Sequence, residues 1–271
     1  IGAGLLITLG INTWEERKKG SLLEFRTPVP PRISSTSWIK KIKNLQFSLN
    51  KPVFQRVEIE VLSNLDWRKS YQKYLKPFDL PLPPHTFEQP IKIIPHTKKN
   101  PHPPGSHLKI RAELAFGTGT HPSTHLAAYF LQEILYEFPK ASVLDAGCGT
   151  AILSMVARLR HASVIWGVDI DPEAILIAKK NIKENNLKGI RLAQSWSQVK
   201  RNFDIVVANM IQTKLIKLKP QLIKKIRKGG FLVLSGLTYR DVPTLLKEFS
   251  FLSLVERKNS KGWAGLKFQN S

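Results

Sequence analysis

A single cysteine, Cys148, stands in the whole chain. No intramolecular disulfide can form from it, and the same count excludes a zinc site built on cysteines. A reducing compartment, the cytoplasm, is the expected location. Long apolar runs are also missing: no stretch approaches the ~20 apolar residues of a membrane-spanning helix. The apolar opening, IGAGLLITLGI, lacks a basic leader and charge follows it quickly, so it does not read as a signal peptide. It reads as a helix end stopped at Gly10, then a strand through Ile11, Thr13 and Trp14. The first residue is Ile1 rather than Met, so an earlier piece of chain is expected. Acids are scarce: 20 Asp and Glu against 42 Lys and Arg leave a net charge of +22. Such a surface attracts polyanions, and a screening length of about 10 Å leaves close contacts effective at physiological salt. The charge fits either a host-wide lysine bias or work near nucleic acid.

What is present fits one ordinary domain and a smaller one, since 271 residues with 42% apolar content can bury a real core. Residues 1–60 read as a small α+β unit, with a capped helix near Ser37 to Phe47 and a strand-like alternation in VFQRVEIEVL. From Pro77 to Pro104 proline and histidine crowd the chain, which rules out a helix and predicts an extended connector with one short strand at Ile91 to Ile94. Its histidines, His85, His96, His102 and His107, have no acidic or cysteine partner at ligand-like spacing and read as solvated loop residues, with no metal. From Leu126 strands and helices alternate. Short apolar runs such as FDIVVAN and FLVLSG suit strands buried on both faces. The pattern predicts an α/β, doubly wound, Rossmann-like parallel sheet. A helix over KLIKLKPQLIKKIRK is expected to stop at Gly229 and Gly230, and the tail reads helix, strand, strand. Boundaries are expected at 1–60, a linker and lead-in at 61–113, and the main domain at 114–271.

Four segments carry chemistry. In VLDAGCGTAILS, residues 143–154, a strand ends in Asp145, a glycine turn follows and a helix begins. Gly147 and Gly149 let the backbone approach a ligand, the helix start offers free N–H groups to a carboxylate, and Asp145 can hold an ammonium. A ligand bearing both groups is an amino acid, and S-adenosylmethionine carries one. A tight strand–helix corner without a ligand is the plainer alternative. The next strand ends at Asp169, where a carboxylate accepts from ribose hydroxyls, while Asp171, before Pro172 and Glu173, reads as a helix cap. A further strand ends at Asn209, whose amide can orient an amine toward a methyl group or simply cap the strand end. Last, AFGTGTHPST at 115–124 precedes a helix, with Phe116, Thr118 and Gly119 forming a loop over the ligand and Ser123 or Thr124 as N-cap. His121 can be read as a general base, but hydrogen bonding within the loop suits its place better.

With these pieces in order the chain resembles the bacterial methyltransferases of large-subunit ribosomal protein L11, the PrmA family. AFGTGTHPST matches the family's AFGTGxHxTT loop, LDAGCGTAIL its LDxGCGSGIL turn, GVDIDP its second strand end, and VANMI its VANIL. DWRKSY at 66–71 with Lys76-Pro77 looks like the family's DWxxxW…P stretch. The likeness covers about residues 60 to 271. It implies a class I methyltransferase using S-adenosylmethionine, a ribosomal-protein substrate methylated on lysine or N-terminal amines, and a monomer. It also implies a ferredoxin-like docking domain in front, of which residues 1–60 look like a shortened version. Departures fall at Ala151, where the family has glycine, at Arg111-Ala112-Glu113 in place of Asp-Pro-Gly, and at Ser123 for threonine. Gln194-Ser195-Trp196 stands where the family has an acid near the adenine, leaving Trp196 or Ile170 to pack against the ring. Asn209 is the expected catalytic residue. The rivals are an rRNA methyltransferase, favoured by charge but lacking the Pro-Pro-aromatic that follows Asn in base-amine enzymes, and a non-catalytic cofactor-binding homologue. A nicotinamide oxidoreductase fits poorly, because Asp145 would face a pyrophosphate.

Overall fold

A computed structural model describes residues 77–86, 88–95, 106–111 and 119–271, together with the backbone of two short strands nearer the start. By compactness the chain divides into units at Ile1–Tyr71 and Gln72–Ser271. In the first unit β1 (Glu15–Lys19) and β2 (Leu22–Arg26) form an antiparallel hairpin. The sequence gives no apolar alternation in EERKK, so no strand is expected there. The strand expected at Ile11 to Trp14, the helix near Ser37 to Phe47, the VFQRVEIEVL strand and the DWRKSY stretch lie outside the described residues.

The second unit begins with a three-stranded sheet of β3 (Phe78–Asp79), β4 (Lys92–Pro95) and β5 (His107–Ile110), with β4 parallel to β5. The connector is thus part of a folded layer. Leu80, Ile91, Ile93, Leu108 and Ile110 are buried in the same cluster as α1 (Pro122–Glu137) and α2 (Ile152–Leu159). Arg160 fastens it: its guanidinium donates to Glu88, to the Gln89 carbonyl at 2.7 Å and to Gln132 Oε1. Of the four histidines, His85 packs edge-on against Tyr136 and His107 lies in β5; His96 and His102 are outside the described residues.

The main sheet is doubly wound, as expected. It comprises β6 (Val143–Ala146), β7 (Ile165–Val168), β8 (Ile190–Ala193), β9 (Phe203–Asn209), β10 (Ile226–Thr238), β11 (Ser253–Ser260) and β12 (Trp263–Gln269) in the order β11-β12-β10-β9-β6-β7-β8. The first five in sequence are parallel, and β12 runs antiparallel between β10 and β11. Alternating side chains point to opposite faces. Val143, Ile205, Val207 and Val233 meet α1 and α2 on one face. Leu144, Val206, Ala208, Leu232 and Leu234 meet α4 (Gln212–Lys224) and α5 (Val242–Glu248) on the other. Each such fully buried Val, Leu or Ile contributes roughly 1.5–3 kcal/mol, which is why these strands read as continuous apolar runs. The remaining helix, α3 (Pro172–Glu184), follows β7.

Two expectations need correction. The helix after β9 ends at Lys224, not at the glycine pair. Lys225 accepts from Phe203 N and Ile226 pairs with Phe203, so β-ladder bonds take the chain before Gly229 is reached. The N-cap of α1 is neither Ser123 nor Thr124 but His121, because Pro122 fills the first helical position and the imidazole accepts from Ser123 N.

A buried ion pair ties α1 to the antiparallel edge. Lys267 Nζ lies 2.5 Å from Glu133 Oε2, both side chains are 7% exposed, and Glu256 is a second partner at 3.1 Å. Burial pulls the Lys267 pKa down, but the two carboxylates outweigh it and leave it raised.

Candidate functional site

Of the candidate site residues that the structure describes, Asp145, Gly147, Gly149, Asp169, Ile170 and Asn209 lie at the carboxyl ends of β6, β7 and β9, where such sheets place ligands, and Gly119 lies against Ile152, Phe78 and Ile93. The turn after β6 is built from positive φ angles: Gly147 at 71°, Gly149 at 52° and Ala151 at 62°. Gly147 N and Cys148 N both donate to Val168 O, at 2.7 and 3.1 Å, which locks the turn to the end of β7. A Cβ on Gly147 would come within 2.9 Å of Met210 Sδ, so the turn also abuts the end of β9. Cys148 is buried between two acids. Burial first, then the charges of Asp145 and Asp169, push its thiol pKa well up, so it stays an inert thiol.

Asp145 is 1% exposed and faces the first turn of α2. Its Oδ2 accepts from Ser154 N at 3.0 Å and from Ser154 Oγ at 2.8 Å. Desolvation by burial nevertheless pushes its pKa up to about 7, against those two bonds and helped by the charge of Asp169. Both bonds fall on Oδ2.

Asp169 closes the other side. Gly149 N donates to its Oδ2 at 3.0 Å and Asp171 N to its Oδ1 at 3.1 Å. Each oxygen retains acceptor capacity for a hydroxyl. Asp171 itself caps α3 by accepting from Glu173 N at 2.9 Å, which is the role its Asp-Pro-Glu setting predicts. Ile170, between the two acids, is 78% exposed. Trp196 packs against the core cluster on the α4 face, within a short 3₁₀ turn closed by Gln198.

Asn209 sits at the end of β9, and its Nδ2 donates to Thr124 Oγ1 at 3.1 Å. Thr124 is held by the first turn of α1, and the neighbouring Ser123 carbonyl accepts from Ser235 Oγ at 2.8 Å. Met210 N then donates to Ser235 O at 3.0 Å. Gly236, with φ of 84°, lets the backbone pass: a Cβ there would meet Met210 O at 2.6 Å. Sequence reading did not find this network, since Thr124, Ser235 and Gly236 come together only through the fold.

His121 Nδ1 lies 3.2 Å from Ser123 N and 2.7 Å from Ser123 Oγ. Burial, then the charge of His125, lowers its pKa, and its ring packs edge-on against Trp263 at 4.4 Å between centroids. A nitrogen that accepts from the helix start is committed to capping, which supports the loop reading over the general base. Gly119 has φ of 84° and fits only as glycine, since a Cβ would meet Ile152 Cδ1 at 2.7 Å. Phe116 and Thr118 lie outside the described residues.

A glycine cradle between two strand-end carboxylates, one facing a helix start, suits a nucleoside joined to an amino acid, and S-adenosylmethionine has that chemistry. Among the described residues no three His, Cys, Asp or Glu gather as a metal site, and no helix is long and apolar enough to cross a membrane.

Comparison with known proteins agrees with the geometry. The family described as ribosomal protein L11 methyltransferase (PrmA) matches residues 24–271. A ribosomal protein L11 methyltransferase of Caldanaerobacter subterraneus subsp. tengcongensis is 31% identical over 219 residues, covering 78% of this chain and 67% of that protein. One from Thermosipho africanus is 40% identical over 160 residues, covering 59% of each. The crystal structure of a ribosomal protein L11 methylase from Lactobacillus delbrueckii subsp. bulgaricus superposes with a TM-score of 0.60 at 25% identity, over 67% of this chain and 95% of that one. With the family matched over most of its length, this chain belongs to the ribosomal protein L11 methyltransferase (PrmA) family.

Proposed function

We infer that the chain methylates amines of ribosomal protein L11, on lysine side chains, the N-terminus or both, using S-adenosylmethionine. The observation that carries this is the convergence of Asp145, the Gly147–Gly149 turn, Asp169 and Asn209 at one end of the sheet. Asp145 and the turn would hold the methionine end, Asp169 the ribose, and Ile170 an adenine face. Phe116, Thr118 and Gly119 would cover the cofactor. The cofactor supplies a methyl group made electrophilic by its sulfonium. Asn209, its amide oriented by the bond from Nδ2 to Thr124, would accept from the incoming amine through Oδ1 and align it. A lysine amine, with a pKa near 10.4, must lose a proton first, and desolvation in a closed site favours the neutral form. In-line alignment is worth several kcal/mol, on the order of 7–11 at its upper range.

In this reading residues 1–60 dock the protein substrate, 61–113 lead in, and 114–271 carry the transfer. A monomer in the cytoplasm, with proximity to rRNA through its basic surface, completes the proposal. Base methylation suits the site less well. Met210, which follows Asn209, is tucked against Gly147 and Gly236 and is no stacking aromatic. A calorimetric titration with S-adenosylmethionine tests the reading. Wild type should bind, and Asp169→Ala should bind about ten- to a hundredfold more weakly by loss of charged hydrogen bonds. No binding by wild type would refute it.

A further inference from the structure

Outside the transfer site, the densest charge lies between residues 200 and 228, which hold nine lysines or arginines and one acid, Asp204. The fold gathers them. Helix α4 contains no acid, and Lys214, Lys217 and Lys224 recur on one exposed face while Leu215 and Leu222 are buried on another. The stripe runs ~15 Å along the helix and ends where β9 and β10 begin. There Arg227 pairs with Asp204 at 2.8 Å, and Lys225 donates to the Val199 carbonyl, which brings Lys200 and Arg201 beside Lys224 and Lys228. Among the described residues, Lys200, Lys214, Lys217, Lys224 and Lys228 have no acidic partner, and all five are exposed. Like charges three residues apart on a helix oppose its formation, so the stripe works against the fold unless a polyanion meets it.

The geometry points to this face as a docking surface for a nucleic-acid phosphate backbone. A lipid surface fits worse, because among the described residues only two exposed large apolar side chains border the face, Ile211 at the N-cap of α4 and Phe251 beside Lys219, far fewer than the apolar face of an inserting amphipathic helix. The cluster at the start of β9 is about 20 Å from Asn209 along the strand, while Lys214 lies in the first turn of α4 just after Asn209, so the face runs from the transfer-site end of the sheet to its opposite end. Contacts would be with phosphates and carry no base sequence. This inference rests on the rRNA proximity of the proposed function and names the face that provides it, and it does not depend on the transfer reaction.

The test uses the full chain and two charge-matched variants. One carries Lys→Gln at 214, 217, 224 and 228; the other carries Lys→Gln at 179, 180, 183 and 188, exposed lysines on and just after α3. Fluorescence anisotropy with a labelled RNA hairpin, a DNA hairpin of the same sequence and anionic phospholipid vesicles is followed across salt concentrations. The α4 variant should lose tenfold or more in hairpin affinity near 0.15 M salt, and its log–log salt slope should fall by up to about three. The α3 variant should change less than twofold. The two hairpins show whether RNA or DNA is preferred. Equal losses in both variants would mean that total charge alone acts and would overturn the proposal, as would tighter binding to vesicles or no hairpin binding by wild type. S-adenosylmethionine binding should match wild type in both variants, which separates this outcome from failure of the transfer reading, and the melting temperature of the α4 variant should equal or exceed that of wild type because like-charge repulsion is relieved.

Discussion

Asn209 Nδ2 donates to Thr124 Oγ1 at 3.1 Å, so the end of a parallel strand is oriented by the first turn of a helix 85 residues away in sequence. The bond takes one of the two amide hydrogens, fixes the amide plane and leaves the carbonyl oxygen to accept. Asn209→Ala should lower kcat by about 10² to 10³, the usual loss for a preorganised polar group, with cofactor affinity nearly unchanged. Thr124→Val should lower kcat about tenfold with the same split, because it loosens the orientation without removing the acceptor. Steady-state kinetics beside a cofactor titration checks both. Parallel losses of turnover and cofactor affinity would contradict the role.

Burial raises the pKa of Asp145 to about 7, above the ordinary carboxylate value. The stability linked to its proton is fully present below the unfolded value near 3.9 and is lost as pH rises through about 7. A ligand ammonium favours the ionised form. Cofactor affinity should therefore rise with pH, by up to tenfold per unit, until it levels off near pH 7. Calorimetry in buffers of different ionisation heat should detect the released proton. Asp145→Asn should flatten the profile; an unchanged slope would contradict the account.

Ala151 holds a left-handed backbone, φ 62°, at the start of α2. A Cβ there costs roughly 1–2 kcal/mol, partly offset by the greater entropy glycine loses on folding. Ala151→Gly should raise stability by about 0.5–1 kcal/mol. Gly147→Ala should lower it by at least that much, since φ is 71° and the new methyl would meet Met210 Sδ. Urea unfolding of the two variants makes the comparison.

His121 caps α1 through an acceptor nitrogen, and its pKa is lowered by burial and by His125. A lowered histidine contributes stability above its unfolded pKa of 6.5, and that contribution is lost as pH falls through the folded value. His121→Asn, itself a good N-cap, should keep most of the stability, whereas His121→Ala should cost about 1 kcal/mol. The pH–rate profile of His121→Asn should match wild type. A profile that loses its acidic limb would restore histidine as the base.

Much of this was legible in the sequence for a physical reason. Strands covered on both faces must be apolar throughout, so VLDA and FDIVVAN stood out. A strand-end acid followed by a glycine turn and a helix marks a cradle before any coordinate exists. Other features were hidden because they depend on neighbours distant in sequence. EERKK forms a strand without any apolar pattern. The helix over residues 214–228 is cut short at Lys224 because β9 captures the chain. Imidazole is an uncommon cap, and only Pro122 and the Ser123 N–H identify His121 as one. Trp196, one of the two side chains expected against an adenine, packs half-buried against the core cluster, a contact its sequence neighbours do not reveal.

The most direct test of the central claim is transfer of a labelled methyl group from S-adenosylmethionine to purified ribosomal protein L11, resolved by mass, with Asn209→Ala and rRNA assayed alongside. The account predicts methyl increments on L11 lysines or its N-terminal amine, a drop of about 10² or more with the variant, and no label on rRNA. Label on rRNA, or none on L11 while the cofactor binds, would contradict it.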